Sequence, residues 1–217
     1  MNLIVSKRHF SEKVVQLVVE APLIAKSRRA GHFVIVRADE HGERIPLTIA
    51  DSDVEKGTIT LVVQAVGASS AKICEKETGE YLHDVVGPLG QATHIKNYGT
   101  VVCCGGGVGV APLLPIIRAM KAAGNRVVSV LAGRTKDLII LEDEVRASSD
   151  EVVIMTDDGS YGTKGLVTAG VESVINREKV DLVVTIGPAI MMKFVALLTK
   201  KYEVPTMCSL NTIMVDG

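Results

Sequence analysis

The second half of the chain repeats a single pattern: a short apolar run rich in β-branched residues, a loop, and a stretch with helical periodicity. Strands that are apolar on both faces and alternate with amphipathic helices are typical of a parallel sheet covered by helices on both sides. The apolar runs are, in chain order, TVVCC, RVVSVLAG, EVVIMT, DLVVTIG and PTMCSL. This half therefore predicts a doubly wound α/β domain, whose first strand follows Gly99.

The first half has a different rhythm, with short apolar runs separated by turn residues. The runs are EKVVQLVVE, HFVIVRA, RIPLTIA and TITLVVQAV. Several short strands at this spacing predict a small antiparallel β-barrel. Within this half only Ser69 to Glu77 shows helical character, with Ser69 or Ser70 available as its N-cap. We interpret GPLG, Gly87 to Gly90, as a turn that closes the barrel.

The change of rhythm divides the chain near residues 95–99. We expect a barrel domain over residues 1–97 and an α/β domain over residues 98–217. A chain of 217 residues agrees with two domains, because domains cluster at about 100 to 150 residues.

Charge and hydropathy exclude several classes of partner. The 24 Lys and Arg residues nearly balance 25 Asp and Glu residues, so the chain has no general field that attracts nucleic acid or an anionic membrane. No apolar run approaches the roughly 20 residues of a transmembrane helix, and charges follow the N-terminal MNLIV too soon for a signal peptide. We expect a cytoplasmic protein that binds neither nucleic acid nor membrane.

Cysteines and histidines show no metal-ligand spacing. The four cysteines include no Cys-x-x-Cys pair, and the neighbours Cys103 and Cys104 lie in an apolar strand, where their side chains point to opposite faces. We interpret the cysteines as buried thiols. The dispersed histidines are not interpreted as metal ligands; they are His9, His32, His41, His83 and His94.

A glycine-rich loop, GGGVGVAP, follows the first strand of the predicted α/β domain directly. It does not fit the Rossmann fingerprint, whose closing small residue falls on Val110 or Pro112 in the two registers. Glycines can adopt positive φ, and a proline suits the first turn of a helix whose free N–H groups face an anion. We favour a nucleotide-binding loop over a tight strand-to-helix turn. The predicted contacts are Gly106, Gly107, Gly109 and Pro112.

A small barrel followed by a parallel sheet that opens with GGGVGVAP resembles the ferredoxin-NADP reductase superfamily over essentially the whole chain. The resemblance implies FAD in the barrel, NAD(P)H in the α/β domain and hydride transfer between them. RIPLTIAD, VGPLG and GGGVGVAP are similar to a subfamily that contains the electron-transfer subunit of dihydroorotate dehydrogenase and the small subunit of an NADH-dependent ferredoxin:NADP oxidoreductase. RIPLTIAD, DDGSYGTKG and SLNTIMVDG are closer to the second.

RIPLTIAD, Arg44 to Asp51, resembles the family's flavin strand, Arg-x-Tyr-Ser. Aligned on the arginine, Pro46 takes the tyrosine position; aligned on Thr48, Leu47 takes it. Neither residue is aromatic, so an aliphatic side chain covers that flavin face. The resemblance implies that Thr48 acts near the flavin N5, as the catalytic position, and that Arg44 binds the pyrophosphate. A plain barrel strand with a surface arginine is the alternative.

VVQAVGASSAKI continues the flavin site in the same resemblance. A glycine there allows close approach, and the following helix offers N–H groups to the pyrophosphate. The implied contacts are Gln64, Gly67, Ser69 and Ser70. An ordinary capped helix is an equal alternative.

AGRTKD, Ala132 to Asp137, follows the second strand of the α/β domain, where the adenosine ribose lies in a doubly wound sheet. No acidic residue ends that strand, and Arg134 and Lys136 are suited to a 2′-phosphate, which favours NADP. The subfamily resemblance favours NADH. The choice between the two nucleotides stays open at this point.

Two later segments complete the implied nucleotide site. DDGSYGTKG resembles the subfamily's NAD(P) loop, with a bare acidic turn as the alternative. IGPAIMM matches the family's Cys-Gly-Pro segment, but Ile186 replaces the cysteine, so any role of that thiol is absent or taken over by another group. The implied contacts are Asp158, Gly159, Gly187 and Pro188.

The chain ends with CSLNTIMVDG, and in the resembled subfamily this point opens a cysteine-rich [2Fe-2S] loop. We expect that segment to be missing, since Cys74, Cys103, Cys104 and Cys208 cannot supply clustered thiolates. A [2Fe-2S] cluster is expected only in a complete chain, where Asp216 takes a ligand position.

These features predict a flavoprotein electron-transfer subunit, in which NAD(P)H delivers hydride to FAD and FAD passes electrons singly to a partner. The implied partner is a larger iron–sulfur flavoprotein subunit or the catalytic subunit of dihydroorotate dehydrogenase, with ferredoxin as a further candidate. In the second case electrons run from the substrate to NAD. An alternative of another class is a nucleotide-binding redox sensor without turnover.

Overall fold

The computed structural model describes residues 1–210. The chain divides into two compact units, the first over Met1–Thr93 and the second beginning at His94. The first strand of the second unit begins at Thr100.

The first unit is a seven-stranded antiparallel sheet that curls into a nearly closed barrel, as predicted. Its strands are β1 (Asn2–Ser11), β2 (Val14–Glu20), β3 (Phe33–Arg37), β4 (Ile45–Asp53), β5 (Thr58–Gln64), β6 (Tyr81–Leu82) and β7 (Asp84–Leu89). Its helices are α1 (Pro22–Ser27) and α2 (Ala68–Glu75). The strand order is β6-β1-β2-β5-β4-β3-β7.

The barrel core follows from the period-2 alternation of its strands. Val15, Leu17 and Val19 of β2 point inward and are fully buried, together with Leu61 of β5 and Ile73 of α2. Burying a side chain of this size stabilises the fold by about 1.5–3 kcal/mol. The alternation therefore fixes which face of each strand is left for a ligand.

β4 changes its partner along its length. Residues 45–48 pair with β3, and residues 49–53 pair with β5 across an irregularity between Ile49 and Asp51. Pro46 lies in the first half, opposite Ile35. Among the described strands, residues 45–48 pair with β3 only, so their other edge has no partner strand. This agrees with the edge position expected for a proline in a strand.

Three local expectations for the barrel are wrong. A second helix, α1, is present because Pro22 presets φ in its first turn. GPLG is not a turn: Gly87 to Leu89 belong to β7, where a Cβ atom at Gly87 would lie 2.8 Å from Cγ1 of Val34. The N-cap of α2 is Gly67, and Ser70 is the third helical residue.

The second unit is a six-stranded parallel sheet with helices, so the predicted α/β domain is confirmed. Its elements are β8 (Thr100–Gly106), α3 (Val110–Ala122), β9 (Arg126–Gly133), α4 (Glu142–Arg146), β10 (Glu151–Thr156), β11 (Thr163–Lys164), α5 (Val167–Arg177), β12 (Leu182–Ile186), α6 (Ala189–Lys201) and β13 (Thr206–Cys208). The strand order is β11-β10-β9-β8-β12-β13. Within residues 1–210, no helix is long and apolar enough to cross a membrane.

The central strands β8, β9 and β12 are buried on both faces, as their continuous apolar sequence requires, whereas the two-residue strand β11 is exposed. Val102 and Cys104 of β8 pack in one cluster with Val171 of α5 and Val195 of α6. Cys103 is also fully buried. Burial raises the pKa of Cys104 to about 12, so these thiols are inert packing groups.

The candidate site lies at the carboxyl edge of this sheet. Parallel strands end at the same edge, and ligands of doubly wound sheets bind there. The segments selected from the sequence follow the ends of β8, β9, β10 and β12.

Candidate functional site

The loop after β8 forms one turn of 3-10 helix, Gly107–Gly109, and leads directly into α3. Gly107 has a φ of 54°, whereas the φ of Gly106 is −123°. Positive φ is therefore used at Gly107 and not at Gly105 or Gly106, which extend β8. A Cβ atom at Gly107 would meet no heavy atom within 4 Å. Gly107 is thus open to approach by a ligand.

The neighbouring glycines are explained by packing against the loop after β12. A Cβ atom at Gly109 would lie 2.5 Å from the carbonyl oxygen of Ile186 and 2.7 Å from the Cα atom of Gly187. A Cβ atom at Gly106 would lie 2.7 Å from the Sδ atom of Met191 in α6. The two loops therefore touch backbone to backbone, and their glycines allow that contact.

Two helices begin beside this loop contact. Pro112 lies in the first turn of α3, as predicted, and no side chain caps that helix. Pro188 is the N-cap residue of α6 and is exposed. The positive ends of two helix dipoles are thus directed toward the same edge of the sheet, which favours an anion there.

The ends of β9 and β10 are joined by two backbone hydrogen bonds. The N–H of Asp157 donates to the carbonyl of Gly133 at 3.1 Å, and the N–H of Asp158 donates to the carbonyl of Arg134 at 3.2 Å. Both aspartates and Arg134 are exposed. The segment that follows β10 therefore brings two exposed aspartates next to the end of β9, where the sequence of β9 itself has no acidic residue.

The same corner carries further polar groups. The carboxylate of Asp158 accepts a hydrogen bond from the N–H of Ser160 at 2.9 Å, and its hydrogen bonds with Ser160 lower the pKa of that carboxyl. The N–H of Lys136 donates to Oγ of Ser160 at 2.9 Å, and its ammonium lies 5.3 Å from the ring centre of Tyr161. Gly159 completes the turn with a φ of 79°. An ionised carboxylate thus lies in the same corner as exposed basic residues.

A thiol lies near the end of β12, where the sequence has Ile186 instead of the cysteine of the resembled motif. In the sheet register, Cys104 of β8 and Cys208 of β13 both pair with Thr185. Burial raises the pKa of Cys208 as well, so its thiol stays protonated at neutral pH. Sequence reasoning did not connect Cys208 with this segment, because only the β12–β13 pairing brings it there.

The first half of β4 presents its side chains alternately to two faces. Leu47 is half-buried and packs against the barrel core, whereas Pro46 is exposed. Thr48 is half-buried, and Arg44, just before the strand, is exposed. By alternation, Pro46 and Thr48 share the face that points away from the core. This placement favours the alignment with Pro46, rather than Leu47, at the tyrosine position.

Arg44 lies next to a carboxylate from β7. Its Nη1 atom is 3.5 Å from Oδ2 of Asp84, and Nε of Arg37 is 2.8 Å from the same oxygen. The side chain of Arg44 is 53% exposed, compared with 26% for Arg37. Arg44 is therefore the outer member of the group and keeps a side toward solvent.

The N-terminus of α2 lies beside the segment that precedes β4. Oγ of Ser69 donates to Oε2 of Glu43 at 2.6 Å. Ser70 is buried, and its Oγ accepts hydrogen bonds of 3.0 Å from the N–H groups of Val66 and Gly67. A Cβ atom at Gly67 would meet no heavy atom within 4 Å. Gly67 and Ser69 are thus accessible, while Ser70 holds the loop together.

These barrel residues form a donor set that fits a pyrophosphate. Arg44 supplies a permanent positive charge, and α2 supplies an N-terminus without a side-chain cap. Gly67 leaves room for close approach, and Gln64 is exposed at the end of β5. Glu43 adds a carboxylate at the same place, which opposes an anion.

The described residues offer no centre for a metal. Residues 1–210 contain no group of three or more His, Cys, Asp or Glu side chains that could hold a metal ion. Asp216, the predicted cluster ligand, lies outside the described residues.

Comparison with known families matches residues 103–197 to the oxidoreductase NAD-binding domain. The matched region begins in β8 and ends in α6, so it contains the glycine loop and the corner between β9 and β10.

Two curated proteins are similar to the whole of this chain. A protein of Thermotoga maritima named as a homolog of the dihydroorotate dehydrogenase B (NAD(+)) electron transfer subunit is 46% identical over 217 residues, which cover 100% of this chain and 77% of that protein. A Clostridium beijerinckii protein, described as uncharacterized and encoded in the adh 3′ region, is 41% identical and covered to 76%.

Solved structures agree with this similarity. A structure of an NADH-dependent reduced ferredoxin-NADP oxidoreductase, described in relation to flavin-based electron bifurcation, contains a chain that is 44% identical with a TM-score of 0.93. The match covers 100% of this chain and 78% of that one. The cytochrome b5 reductase domain of Ulva prolifera nitrate reductase is 17% identical with a TM-score of 0.72 and shows a shared fold.

Proposed function

Because the chain belongs to the ferredoxin-NADP reductase family of oxidoreductases, we propose that its barrel holds FAD and its α/β domain holds a reduced nicotinamide nucleotide. The chain is an oxidoreductase subunit of the NAD(P)H–flavin electron-transfer type. Its family binds FAD and NAD(P)H, and the residues selected above are assigned to these two cofactors.

The nucleotide assignment rests on the contrast between Gly107 and Gly109. One glycine is open and has positive φ, and the other is closed by backbone contact with the loop after β12. A tight turn alone explains Gly109. It does not explain an open, left-handed residue at the carboxyl end of the first strand, which is the place where a doubly wound sheet binds phosphate.

In the barrel, the chain's own residues bind and orient the flavin. Arg44 and the N-terminus of α2 hold the pyrophosphate, and Pro46 covers one face of the ring system. Thr48, on the same face of β4, directs its hydroxyl toward the ring. When bound, FAD accepts hydride and releases electrons singly. No acid–base residue of the protein is needed for that chemistry.

We further propose that the nucleotide is NADH. The carboxylate of Asp158, with its pKa lowered by hydrogen bonds with Ser160, stays ionised, and the backbone of Asp158 is hydrogen-bonded to the carbonyl of Arg134 at the end of β9. A carboxylate accepts a hydrogen bond from a ribose 2′-hydroxyl and repels a 2′-phosphate. This outweighs the exposed Arg134 and Lys136, of which Lys136 already lies over the ring of Tyr161. The 44% identical chain belongs to an NADH-dependent enzyme, which supports the same choice.

The partner in this proposal is a larger subunit that receives or supplies electrons. Relatives named as electron-transfer subunits support it, and they leave two candidates, an iron–sulfur flavoprotein subunit and the catalytic subunit of dihydroorotate dehydrogenase. Ferredoxin is the further candidate. We assign any [2Fe-2S] centre to positions outside residues 1–210.

An anaerobic visible spectrum tests the core of the proposal. Purified protein with bound FAD is expected to bleach on addition of NADH, and to bleach more slowly with NADPH at equal concentration. A protein without flavin affinity contradicts the FAD assignment. Flavin that stays oxidised while NADH binds indicates a redox sensor instead. For the complex isolated with its partner, bleaching by dihydroorotate identifies the second candidate partner.

A further inference from the structure

We infer that Asp84 is a positioning residue for flavin binding, which holds the guanidinium of Arg44 where it meets the FAD pyrophosphate. The inference rests on the proposed function of the barrel. It concerns a residue of β7 that sequence reasoning did not select, separated from Arg44 along the chain and brought to it by the fold.

Asp84 is paired with Arg37 as well as with Arg44. It lies opposite Arg37 in the register of β3 and β7, and Nε of Arg37 lies 2.8 Å from its Oδ2 atom, at ion-pair distance but without hydrogen-bond geometry. Nη1 of Arg37 also donates to the carbonyl of Glu40 at 3.1 Å. Arg37 therefore connects the ion pair of Asp84 both to the sheet and to the segment that leads to Arg44. A fixed carboxylate restricts the guanidinium beside it.

The charges around Asp84 do not cancel. Two guanidinium groups share one carboxylate oxygen, and Nε2 of His83 lies 4.0 Å from its other oxygen. The carboxylate allows Arg37 and Arg44 to lie close together despite their like charges. The group keeps a net positive charge, and its more exposed member is Arg44. That arrangement presents a cation to an anion at a defined place.

The direction in which Asp84→Asn changes FAD affinity distinguishes a positioning role of Asp84 from a purely electrostatic one. Asp84→Asn removes a negative charge near the proposed pyrophosphate, so electrostatic attraction alone predicts tighter FAD binding. If Asp84 acts by holding Arg44, the same change releases Arg44 toward solvent. The FAD dissociation constant then rises about threefold to fivefold, the size of an exposed ion pair.

Flavin fluorescence titration of the apoprotein measures these constants directly. Asp84→Asn is compared with Arg44→Ala and with the double variant, and Asp84→Glu restores the charge. We expect Arg44→Ala to weaken FAD binding about tenfold, the double variant to equal Arg44→Ala, and Asp84→Glu to bind more tightly than Asp84→Asn. Asp53→Asn is the matched control, because Asp53 pairs with Lys56 at 3.1 Å at the other end of β4; it should leave the constant unchanged.

Three results overturn the inference: an Asp84→Asn variant that binds FAD as tightly as the original protein or more tightly, an equal effect of Asp84→Asn when Arg44 is already alanine, or failure of Asp84→Glu to improve on Asp84→Asn. A failed proposed function looks different, because the unsubstituted protein then does not bind FAD and the inference falls with it. Thermal unfolding without FAD identifies a variant that is simply misfolded. If Asp84→Asn is misfolded, the salt dependence of FAD binding by Asp84→Glu decides. The inference then requires that Asp84→Glu have the same FAD dissociation constant, and the same dependence of that constant on salt, as the original protein.

Discussion

Gly107 and Gly109 occupy the same loop, and the structure predicts opposite consequences for their substitution. Gly107→Leu places a side chain in open space at the proposed pyrophosphate position, on a backbone with a φ of 54°. Gly109→Ala places a single carbon atom 2.5 Å from the carbonyl oxygen of Ile186. The first change should affect the nucleotide, and the second should affect the fold.

The magnitudes follow from these contacts. A left-handed residue other than glycine costs about 1–2 kcal/mol, and with nothing else to displace, Gly107→Leu should lower the unfolding temperature by only about 2–8 °C. Loss of one charge-assisted hydrogen bond to phosphate costs about 1.5–3 kcal/mol, so NADH should bind about one to two orders of magnitude more weakly. At Gly109 the obstructing atoms are backbone, so the loops have to separate. We expect Gly109→Ala to destabilise the fold by about 3 kcal/mol, the upper end of the usual range for overpacked sites.

Gly79 provides a matched control. It has a φ of 92°, and a Cβ atom there would meet no heavy atom within 4 Å, but it lies between α2 and β6 of the barrel. Gly79→Leu should lose a similar amount of stability and keep its NADH affinity. The assays are thermal unfolding by circular dichroism and anaerobic stopped-flow reduction of bound FAD over a range of NADH concentrations. Normal NADH binding by Gly107→Leu, or an unfolding temperature as low as that of Gly109→Ala, would refute the reasoning.

Three further predictions concern other parts of the chain. Thr48→Ala should slow reduction of FAD by NADH about fivefold, the worth of one hydrogen bond, with a smaller change in FAD affinity; equal reduction rates remove Thr48 from the site. In native protein at pH 8, iodoacetamide should modify the half-buried Cys208 before Cys104, whose pKa is raised to about 12 by burial, and mass spectrometry of timed samples gives the order. Asp150→Asn should destabilise the fold by about 1 kcal/mol at pH 7, because a hydrogen bond from Lys121 lowers the pKa of this carboxyl. The stabilisation is present above the pKa of Asp150 in the unfolded chain and is lost as pH falls through the lower pKa of Asp150 in the native protein. The unfolding temperatures of the original protein and of Asp150→Asn should therefore converge in acid.

The α/β unit was predictable from the sequence because its longer strands are largely apolar runs and its longer helices α3, α5 and α6 each keep an apolar stripe, although the two-residue strand β11 gives no such signal. The barrel was less predictable from the sequence. β1 was not predicted, since NLIVSKRHFS places Lys7, Arg8 and His9 within a strand that is only half-buried. The helix α1 has six residues and Ala21 as its N-cap, without a capping side chain. Short elements of this kind are stabilised by tertiary packing, which leaves little local signal.

The site residues divide in the same way. The sequence identified the glycine loop, but four glycines within five positions cannot reveal which glycine faces a ligand and which faces another loop. Packing decided that, through Ile186 and Met191, which lie far along the chain. Asp158 was implied by the resemblance, but its position next to Arg134 was not predicted, and Asp84 beside Arg44 was not selected at all. Both positions depend on strand order rather than on spacing in the sequence.

The backbone contact between Gly109 and Gly187 leaves no spare volume at the carboxyl edge of the sheet, where we propose that the nucleotide binds. Because no residue is smaller than glycine, neither loop can yield room to the other, and a second substitution cannot compensate the first. Single substitutions at Gly109 or Gly187 are therefore expected to be disruptive, whether they arise in evolution or by design. Change is instead left to the exposed corner at Arg134 and Asp158, where side chains can be exchanged without moving the backbone. A redesign of nucleotide preference should begin there.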